Sequence, residues 1–437
     1  MNAVGIVGLG YVGLTLAVTL ARKGFTVYGV DKSPRVVAAL AAKRAHLFEP
    51  GVDDGLQAFV GERIHVGEAL PAGRVEAAIL CVSTPVDPGT RAPELENLRS
   101  AARHVAERCG PDTLVIVRST VPVGASRAVV LPELAARWPA PRLAFAPERT
   151  IQGQALRELE ELPQVVGGLD PASRDGAAAL FARVTGRIVP VASLEAAEMV
   201  KLINNSHTDL IYSFGNEVAL LAERFRLDPL ELIRAANLDY PRPDLSTPGF
   251  VGGGCLSKDP YILASAARAA GYAPWLVERA RGLNEYLPLH VAERVVTLIR
   301  AARGGTEGAR LFVMGWAYKG WPPTDDMRGA PVLAMLPVLR AAGLALRGHD
   351  FLVAPSVIEG LGPTPVTPPA AIAPPPPAPP APGAVLGVTD HPEYAKLDLG
   401  RLLATLARPA VLYDSWRILD EEAVRGAGVR YAGIGYG

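Results

Sequence analysis

The stretch Gly8-Leu9-Gly10-Tyr11-Val12-Gly13 lies almost at the start of the 437-residue chain, directly after the apolar run Val4–Val7. In a strand–turn–helix unit, the first glycine permits a tight turn and the second lets a pyrophosphate approach the backbone. The third glycine allows the helix to pack closely on the strand. The N–H groups at the start of that helix then face the phosphates. The stretch therefore predicts a dinucleotide site, to which Tyr11 and Val12 also contribute.

A carboxylate about twenty residues further on distinguishes this motif from an ordinary glycine-rich turn. The second apolar run ends at Val30, and Asp31 follows it directly. At that position a carboxylate accepts hydrogen bonds from the ribose hydroxyls and repels a 2′-phosphate. Asp31 therefore favours NAD over NADP as the cofactor, while the neighbouring Lys32 leaves NADP as the alternative.

Short apolar runs alternate with segments of helical periodicity through residues 1–192. Such alternation predicts a parallel, doubly wound sheet with right-handed crossovers. The predicted strands are Ala3–Gly8, Thr26–Val30, Ala77–Val82, Thr113–Val117, Leu143–Ala146 and Gln164–Gly167. The predicted helices are Val12–Lys23, Pro34–Lys43, Glu94–Arg108, Ser126–Arg137 and Ser173–Val184.

The middle of the chain has only helical patterns, beginning with a long helix from Ser193, its N-cap, to Arg226. Strand–helix alternation resumes after Gly304. The sequence therefore predicts an α/β fold class with two Rossmann-like doubly wound domains joined by an all-helical segment. The predicted domains are residues 1–192 (NAD-binding), 193–303 (helical) and 304–437 (α/β).

Composition excludes several classes of protein. The 44 basic and 44 acidic side chains balance, so no global field favours nucleic acid or a membrane surface. Three cysteines are too few for a disulfide scaffold and indicate a reducing compartment. With no signal-peptide pattern and no apolar stretch near the roughly 20 residues of a membrane span, we expect a cytoplasmic protein. No metal site is expected.

Two later loops lie where parallel strands end, which is where such sheets bind ligands. One contains Thr84 after the strand Ala77–Val82, and the other contains Ser119 and Thr120 after Thr113–Val117. Hydroxyl groups at these positions are candidates for lining the nicotinamide half of the cofactor. The alternative is that both loops are ordinary turns, because the local sequence is equally compatible with a turn that binds no ligand.

Cys255 follows three glycines in the segment Gly252-Gly253-Gly254-Cys255-Leu256-Ser257-Lys258-Asp259. Glycines let a bulky substrate approach the backbone closely, and the start of a helix and a nearby lysine favour the thiolate form. Cys81 ends a buried strand and Cys109 ends a helix, so both are expected to be packing residues. A nicotinamide site with a nucleophilic thiol suggests oxidation of an alcohol through an aldehyde and a thioester to an acid.

Over almost its whole length the chain resembles the nucleotide-sugar 6-dehydrogenases, the family of UDP-glucose and UDP-N-acetylmannosamine dehydrogenases. Several specific motifs occur in the family's order. They are Gly5–Gly13, Ser119–Gly124, Ala146–Arg149, Glu198–Ser206, Gly249–Pro260, Gly315–Arg328 and Gly428–Gly435.

The resemblance implies a role for each matching catalytic position. Cys255 matches the nucleophile and Glu148 the carboxylate associated with thioester hydrolysis. Lys201 and Asn205 match the pair that stabilises the oxyanion, and Asp259 matches the acid that works with a water in the first oxidation. Without the family, Lys201 and Glu148 would be interpreted as surface charges.

The resemblance also implies binding roles: residues 193–303 would form the dimer and carry the reactive cysteine, and residues 304–437 would bind the UDP-sugar. Lys258 and Arg328 are expected to contact the cofactor. Arg242 matches an arginine that reaches the substrate from a partner subunit, so the active site would be complete only in a homodimer. The residues expected to bind the UDP-sugar are Arg149, Arg242, Gly252, Lys319 and Arg417, with Arg417 the weakest match.

The motifs divide between two branches of the family. Glu148-Arg149 and Asp259-Pro260 resemble the N-acetylhexosamine branch, whereas Gly254 replaces its usual histidine and Lys258 resembles the glucose branch. We expect oxidation of C6 of a UDP-N-acetylhexosamine, with UDP-N-acetylmannosamine first and UDP-glucose second. The sequence also leaves open a two-electron β-hydroxyacid-type dehydrogenase and a catalytically silent sugar-nucleotide-binding protein.

Eleven of the chain's 40 prolines fall between Pro363 and Pro382. Such a density forbids a helix, because each proline lacks an N–H donor and clashes with the preceding turn. We expect residues 363–382 to form an extended, polyproline-like excursion within the third domain.

Overall fold

The structure is a computed structural model, and it describes residues 1–366 and 383–437. The chain divides into two compact units. The first contains Met1–Ser206 and Lys258–Pro274, and the second contains His207–Ser257 and Trp275–Gly437. The predicted division into three domains, 1–192, 193–303 and 304–437, stays a prediction.

Among the described residues, the first unit contains an eight-stranded sheet in the order β3-β2-β1-β4-β5-β6-β7-β8. Its neighbours pair in parallel except β6 and β7, which are antiparallel. The strands are β1 (Ala3–Val7), β2 (Thr26–Val30), β3 (Ile64–Gly67), β4 (Ala77–Leu80), β5 (Leu114–Val117), β6 (Arg142–Phe145), β7 (Gln164–Gly168) and β8 (Ile188–Pro190). The predicted fold class is confirmed, although strand–helix alternation did not predict the antiparallel pair.

Helices cover both faces of this sheet because alternate strand residues point to opposite sides. Ile6 of β1 packs in a core with Leu14 of the first helix, whereas Val7 packs with Leu98 on the other face. The helices are Tyr11–Arg22, Pro34–Ala41, Val52–Phe59, Glu96–Arg108, Ser126–Val130 (a π-helical turn), Leu131–Ala135, Ala155–Glu161, Pro171–Phe181 and Asp259–Ala269.

The helix Leu194–Phe225 begins in the first unit and ends in the second. The hydroxyl of Ser193 accepts a hydrogen bond from the N–H of Ala196 at 3.2 Å, which confirms the predicted N-cap. The other helices of the second unit are Pro229–Asn237, Gly253–Leu256, Trp275–Arg303, Pro331–Ala341, Pro355–Gly360, Pro392–Ala395, Leu399–Ala404 and Glu421–Gly426. Within the described part of the chain, no helix is both long and apolar enough to span a membrane.

The second unit contains a parallel sheet of six described strands in the order β11-β10-β9-β12-β13-β14. The strands are β9 (Arg310–Met314), β10 (Ala345–His349), β11 (Thr364–Pro365), β12 (Ala384–Gly387), β13 (Ala410–Asp414) and β14 (Val429–Ala432). Of the predicted proline-rich excursion at 363–382, Thr364 and Pro365 pair with β10. Residues 367–382 lie outside the described residues.

Trp316, which follows β9, is fully buried and determines what fits beside it on β10. A Cβ atom at Gly348 would lie 2.5 Å from the Trp316 ring, closer than van der Waals contact allows. Gly360 is the last residue of the helix Pro355–Gly360 in the same unit, and a Cβ atom there would have no described heavy atom within 4 Å. These two glycines therefore form a matched pair for testing the packing of the second sheet.

We expect Gly348→Ala to lower the free energy of unfolding by about 1–3 kcal/mol, because the ring must shift to admit the methyl group. Gly360→Ala is the control and should leave stability unchanged or slightly raised. Urea unfolding followed by tryptophan fluorescence measures both. Equal stability of the two variants would contradict the described packing of Trp316.

Candidate active site

The glycine turn after β1 has the close approaches that its sequence predicts. Gly8 has a φ of +94°, and a Cβ atom there would lie 2.7 Å from the carbonyl oxygen of Cys81. A Cβ atom at Gly13 would collide with the carbonyl oxygen of Gly8, so the helix and turn meet without room for a side chain. A Cβ atom at Gly10 would have no described heavy atom within 4 Å, so the backbone there is open to a ligand.

Asp31 lies beside this turn at the end of β2. One carboxylate oxygen accepts a hydrogen bond from the N–H of Leu9 at 2.9 Å, and the other accepts from Ser33 at 2.9 Å. The ammonium of Lys32 donates to the side chain of Asn97 at 2.8 Å. Gly8, Gly10, Asp31, Lys32, Ser83 and Asn97 help to line a cavity of about 540 Å³.

This cavity fits a dinucleotide. It adjoins the carboxyl ends of β1, β2 and β4, where parallel sheets bind nucleotides. The open backbone at Gly10 suits a pyrophosphate, and the carboxylate of Asp31 suits a ribose. Tyr11 and Val12 begin the helix that starts at the turn. The hydroxyl of Tyr11 accepts a hydrogen bond from the N–H of Gly153 at 3.0 Å.

The three predicted hydroxyl residues cross-link neighbouring loops at the same edge of the sheet. The hydroxyl of Thr84 donates to the carbonyl oxygen of Thr120 at 2.5 Å, and that of Ser119 donates to the carbonyl of Val82 at 2.7 Å. The structure therefore brings Thr84, Ser119 and Thr120 together. Their contact with the cofactor stays a prediction.

Glu148 and Lys201 form a buried ion pair in the first unit. The ammonium nitrogen of Lys201 lies 3.7 Å from a carboxylate oxygen of Glu148, and both side chains are almost completely shielded from solvent. The other carboxylate oxygen of Glu148 accepts a hydrogen bond from the N–H of Thr150. Arg149 donates to the carbonyl of Pro163. Charges in such a dry setting act on each other and on a substrate more strongly than in water.

Asp259 is held by two of the other predicted residues. The amide of Asn205 donates to one carboxylate oxygen at 2.5 Å, and the ammonium of Lys258 donates to the other at 2.7 Å. Asp259 is fully buried, so these two partners compensate for the loss of water. Lys201 and Asn205 are four residues apart on one helix and therefore share a face. The first unit thus brings together Glu148, Lys201, Asn205, Lys258 and Asp259 as two adjoining polar groups.

Cys255 belongs to the second unit and is exposed. The glycines before it allow close packing: Gly253 has a φ of +88°, and a Cβ atom there would lie 2.7 Å from the Tyr318 ring. A Cβ atom at Gly252 would collide with the carbonyl of Gly329. The backbone at this segment therefore requires small residues, and the predicted substrate contact of Gly252 stays a prediction.

The other two thiols differ from Cys255 in their surroundings. Burial raises the pKa of Cys81 to about 12 and that of Cys109 to about 11. Both are therefore protonated at neutral pH and are poor nucleophiles. This result agrees with their interpretation as packing residues.

Arg328 lies beside the cysteine segment, Gly252-Gly253-Gly254-Cys255. A Cβ atom at Gly254 would lie 2.8 Å from the central guanidinium carbon of Arg328. Hydrogen bonding to Asp326, at 2.6 Å, raises the pKa of Arg328, and the nearby charge of Cys255 contributes in the same direction. Arg328 is therefore a cation close to the thiol. Its predicted contact with the cofactor stays a prediction.

The remaining predicted substrate residues, all in the second unit, have different contacts. Lys319 has its ammonium 5.5 Å from the centre of the Tyr318 ring. Arg242 is exposed and donates to the carbonyl of Pro241 at 2.7 Å. Arg417 is paired with Asp228 at 2.5 Å and with Glu421 at 3.3 Å, and it stacks on Tyr436. Arg417 thus already has protein partners, and its weak substrate role stays a prediction.

Sequence reasoning missed a buried pair that holds the backbone next to Glu148. Arg118 donates to the carbonyl of Ala146 at 3.1 Å and to the side chain of Gln164 at 2.9 Å. The amide of Gln164 donates to the carbonyl of Pro147 at 2.9 Å. The signal was a charged residue directly after a buried strand, which local sequence does not distinguish from a surface charge.

Comparison with known proteins shows the family to which the chain is related. The chain matches the UDP-glucose/GDP-mannose dehydrogenase family in three segments: the NAD binding domain at residues 2–185, the central domain at 195–286 and the UDP binding domain at 312–421. The UDP-N-acetyl-D-mannosamine dehydrogenase of Pyrococcus horikoshii is 31% identical over 99% of both chains. The chain belongs to the UDP-glucose/GDP-mannose dehydrogenase family.

Solved structures of family members extend the comparison. The UDP-D-ManNAc dehydrogenase of Pyrococcus horikoshii superposes with a TM-score of 0.84 at 30% identity, covering 99% of each chain. A UDP-glucose dehydrogenase of Pyrobaculum islandicum gives 0.83 at 27% identity, covering 100% of this chain and 98% of its own. The predicted family resemblance and the predicted NAD cofactor are confirmed: this family member is an NAD-dependent oxidoreductase with a UDP binding domain.

Two glycine substitutions separate cofactor binding from folding. We expect Gly10→Ala to keep the melting temperature but to weaken NAD binding about tenfold or more, because the methyl group enters the space of the pyrophosphate. Gly13→Ala should lower the melting temperature as well, because its methyl group collides with Gly8. Calorimetric titration with NAD and thermal unfolding measure the two effects. Unchanged NAD affinity of Gly10→Ala would contradict the proposed cradle.

Proposed function

We propose that the chain oxidises C6 of a UDP-N-acetylhexosamine, with UDP-N-acetylmannosamine as the preferred substrate, to the uronic acid. The observation that carries this proposal is the pair of buried polar groups, Glu148–Lys201 and Asn205–Asp259–Lys258, in the unit that contains the dinucleotide turn. Support for the sugar comes from the relatives named for UDP-N-acetyl-D-mannosamine and from the Glu148-Arg149 motif.

NAD, when bound, supplies the hydride acceptor for each of two oxidations. In the first, the carboxylate of Asp259 receives the hydroxyl proton through a water as the alcohol becomes an aldehyde. Asn205 and Lys258 hold both oxygens of that carboxylate in place. This step needs no sulfur.

The thiolate of Cys255 then forms a C–S bond with the aldehyde carbon, which gives a thiohemiacetal. The ammonium of Lys201 and the amide of Asn205 stabilise the negative oxygen. Oxidation of the thiohemiacetal leaves a thioester. Glu148 takes a proton from a water, whose oxygen attacks the thioester carbon; the C–S bond breaks, and the acid and the thiol are released.

Lys is suited to the oxyanion role because its compact ammonium reaches an oxygen at close range, which a guanidinium does not do as well. The chain has seven lysines, and three of them, Lys201, Lys258 and Lys319, lie within the family motifs.

We predict that the wild-type protein forms two NADH per acid and that Cys255→Ser stops before the acid is released. The hydroxyl is a much weaker nucleophile than a thiolate, so the aldehyde or an ester should accumulate. NADH absorbance combined with mass spectrometry of the sugar nucleotide measures both quantities. Cys109→Ser is the matched control and should behave as wild type. One NADH per turnover in the wild type would contradict the four-electron reaction.

UDP-glucose is the second candidate substrate, because Lys258 resembles the glucose branch and a UDP-glucose dehydrogenase is almost as similar in fold. A panel of UDP-N-acetylmannosamine, UDP-N-acetylglucosamine and UDP-glucose distinguishes them by kcat/KM. Preference for UDP-glucose would overturn the choice of sugar and leave the chemistry intact.

A homodimer is also part of the proposal. Large apolar side chains recur at helical spacing along the exposed face of Leu194–Phe225, and the most exposed, Phe225, keeps 73% of its surface in solvent. The stripe consists of Met199, Ile203, Ile211, Phe214, Leu221 and Phe225. Exposed apolar side chains along one face of a helix suit a second copy of the same helix.

Mixing inactive variants tests whether Arg242 acts in the partner's site. We expect Arg242→Ala chains mixed with Cys255→Ala chains to regain about a quarter of wild-type activity, since half of the dimers would have one intact site of two. Each variant alone is the control. No regained activity, once heterodimers are detected by differently tagged chains, would contradict a shared site.

A further inference from the structure

Arg281 is a buried guanidinium on the helix Trp275–Arg303, and its contacts surround the cysteine segment. Only 2% of its side chain is exposed. One terminal nitrogen donates to the carbonyl oxygen of Leu256 at 2.9 Å, and the other donates to the carbonyl of Val251 at 3.1 Å. These carbonyls stand on either side of Gly252-Gly253-Gly254-Cys255. A single planar group therefore joins the two ends of the segment.

A chain of buried hydrogen bonds fixes this guanidinium. Arg281 donates to a carboxylate oxygen of Asp209 at 2.6 Å, and the amide of Asn284 donates to the same oxygen at 3.0 Å. Asn216 in turn donates to Asn284 at 2.9 Å. The side-chain oxygen of Asn216 accepts from the N–H of Gly249 at 2.8 Å. The network thus holds the cysteine segment at a third point.

The charge balance of this network depends on Arg281. Asp209 is fully buried, and burial raises its pKa while the Arg281 guanidinium opposes that effect. A further carboxylate, that of Glu285, lies 3.8 Å from the Nε atom of Arg281. A buried ion pair is weak evidence for a gain in stability, because desolvation offsets most of the attraction. The two hydrogen bonds from Arg281 to backbone carbonyls indicate a role in ordering the backbone rather than in stability.

We propose that Arg281 is a positioning residue that orders the segment Val251–Leu256 and so aims the thiol of Cys255. Three successive glycines lose more conformational freedom on ordering than other residues do, so the segment needs contacts from outside. The rigid fork of a guanidinium supplies two bonds in fixed directions, which the ammonium of lysine does not.

This inference rests on the proposed role of Cys255 and makes a selective prediction. The first oxidation does not use the sulfur, whereas thiohemiacetal formation requires it at the aldehyde carbon. Loosening the segment should therefore impair the second oxidation alone. A misplacement of about 1 Å at a reacting atom lowers the rate about 100-fold.

The test uses Arg281→Lys, which keeps a positive charge beside Asp209, and Arg281→Met, which removes it. We expect faster hydrogen–deuterium exchange in residues 249–257 of both variants, with the larger change in Arg281→Met. The first-turnover rate of NADH formation should stay near the wild-type value. The yield should fall from two NADH per sugar toward one as aldehyde is released, with acid formation slowed about 100-fold in Arg281→Met and less in Arg281→Lys.

Leu298→Ala is the control for general destabilisation, because Leu298 is buried on the same helix. This variant should lower the melting temperature without releasing aldehyde. If Arg281→Met does not fold, Arg281→Lys carries the test.

Three outcomes would overturn the inference. They are unchanged exchange at 249–257, a yield of two NADH despite faster exchange, and equal release of aldehyde by Leu298→Ala. If the wild type itself forms one NADH, the proposed function fails, and the exchange data still decide whether Arg281 orders the segment.

Discussion

Parallel pairing of β1 with β2 and β4 is the constraint on which the candidate cofactor site depends. Parallel strands end at one edge of the sheet, so the loops after them meet there. The glycine turn follows β1, Asp31 follows β2, and Ser83 lies beyond β4. Residues that are far apart in sequence thereby share one cavity. Because Gly13 has no side chain, the first helix can also pack close to this edge, where a Cβ atom would collide with Gly8.

Desolvation shapes the other part of the candidate site. Glu148, Lys201 and Asp259 are ionisable residues that are almost or completely buried, which is costly unless each has a partner. The structure gives each of them one of opposite charge, and Asp259 an amide as well. A group held in this way needs little rearrangement when charge develops on a substrate, and such preorganisation is the main source of electrostatic catalysis.

The sequence predicts the features that depend on neighbouring residues, and it does not predict those that depend on tertiary contacts. Strands β1, β2, β4 and β5 and the cap at Ser193 were predictable, because period, turn residues and caps are local signals. The helix Val52–Phe59 and β3 were not, since the helix has a glycine within its eight residues, and β3 has four residues, including a histidine and a glycine. Arg118, Gln164 and Arg281 were also missed. Their partners are backbone carbonyls and side chains brought near by the fold, and no spacing in the sequence indicates that an arginine will be buried.

The division of the chain into its two units has a consequence for dissecting the protein. The backbone passes from one unit to the other after Ser206, again after Ser257 and again after Pro274. The cofactor-binding unit is therefore discontinuous, and its final piece, Lys258–Pro274, is encoded after part of the second unit. A fragment ending at Ser206 would have the whole glycine turn and the eight-stranded sheet, but Asn205 would lose the carboxylate it holds. Gene fusion or domain exchange in this protein would have to transfer both pieces together.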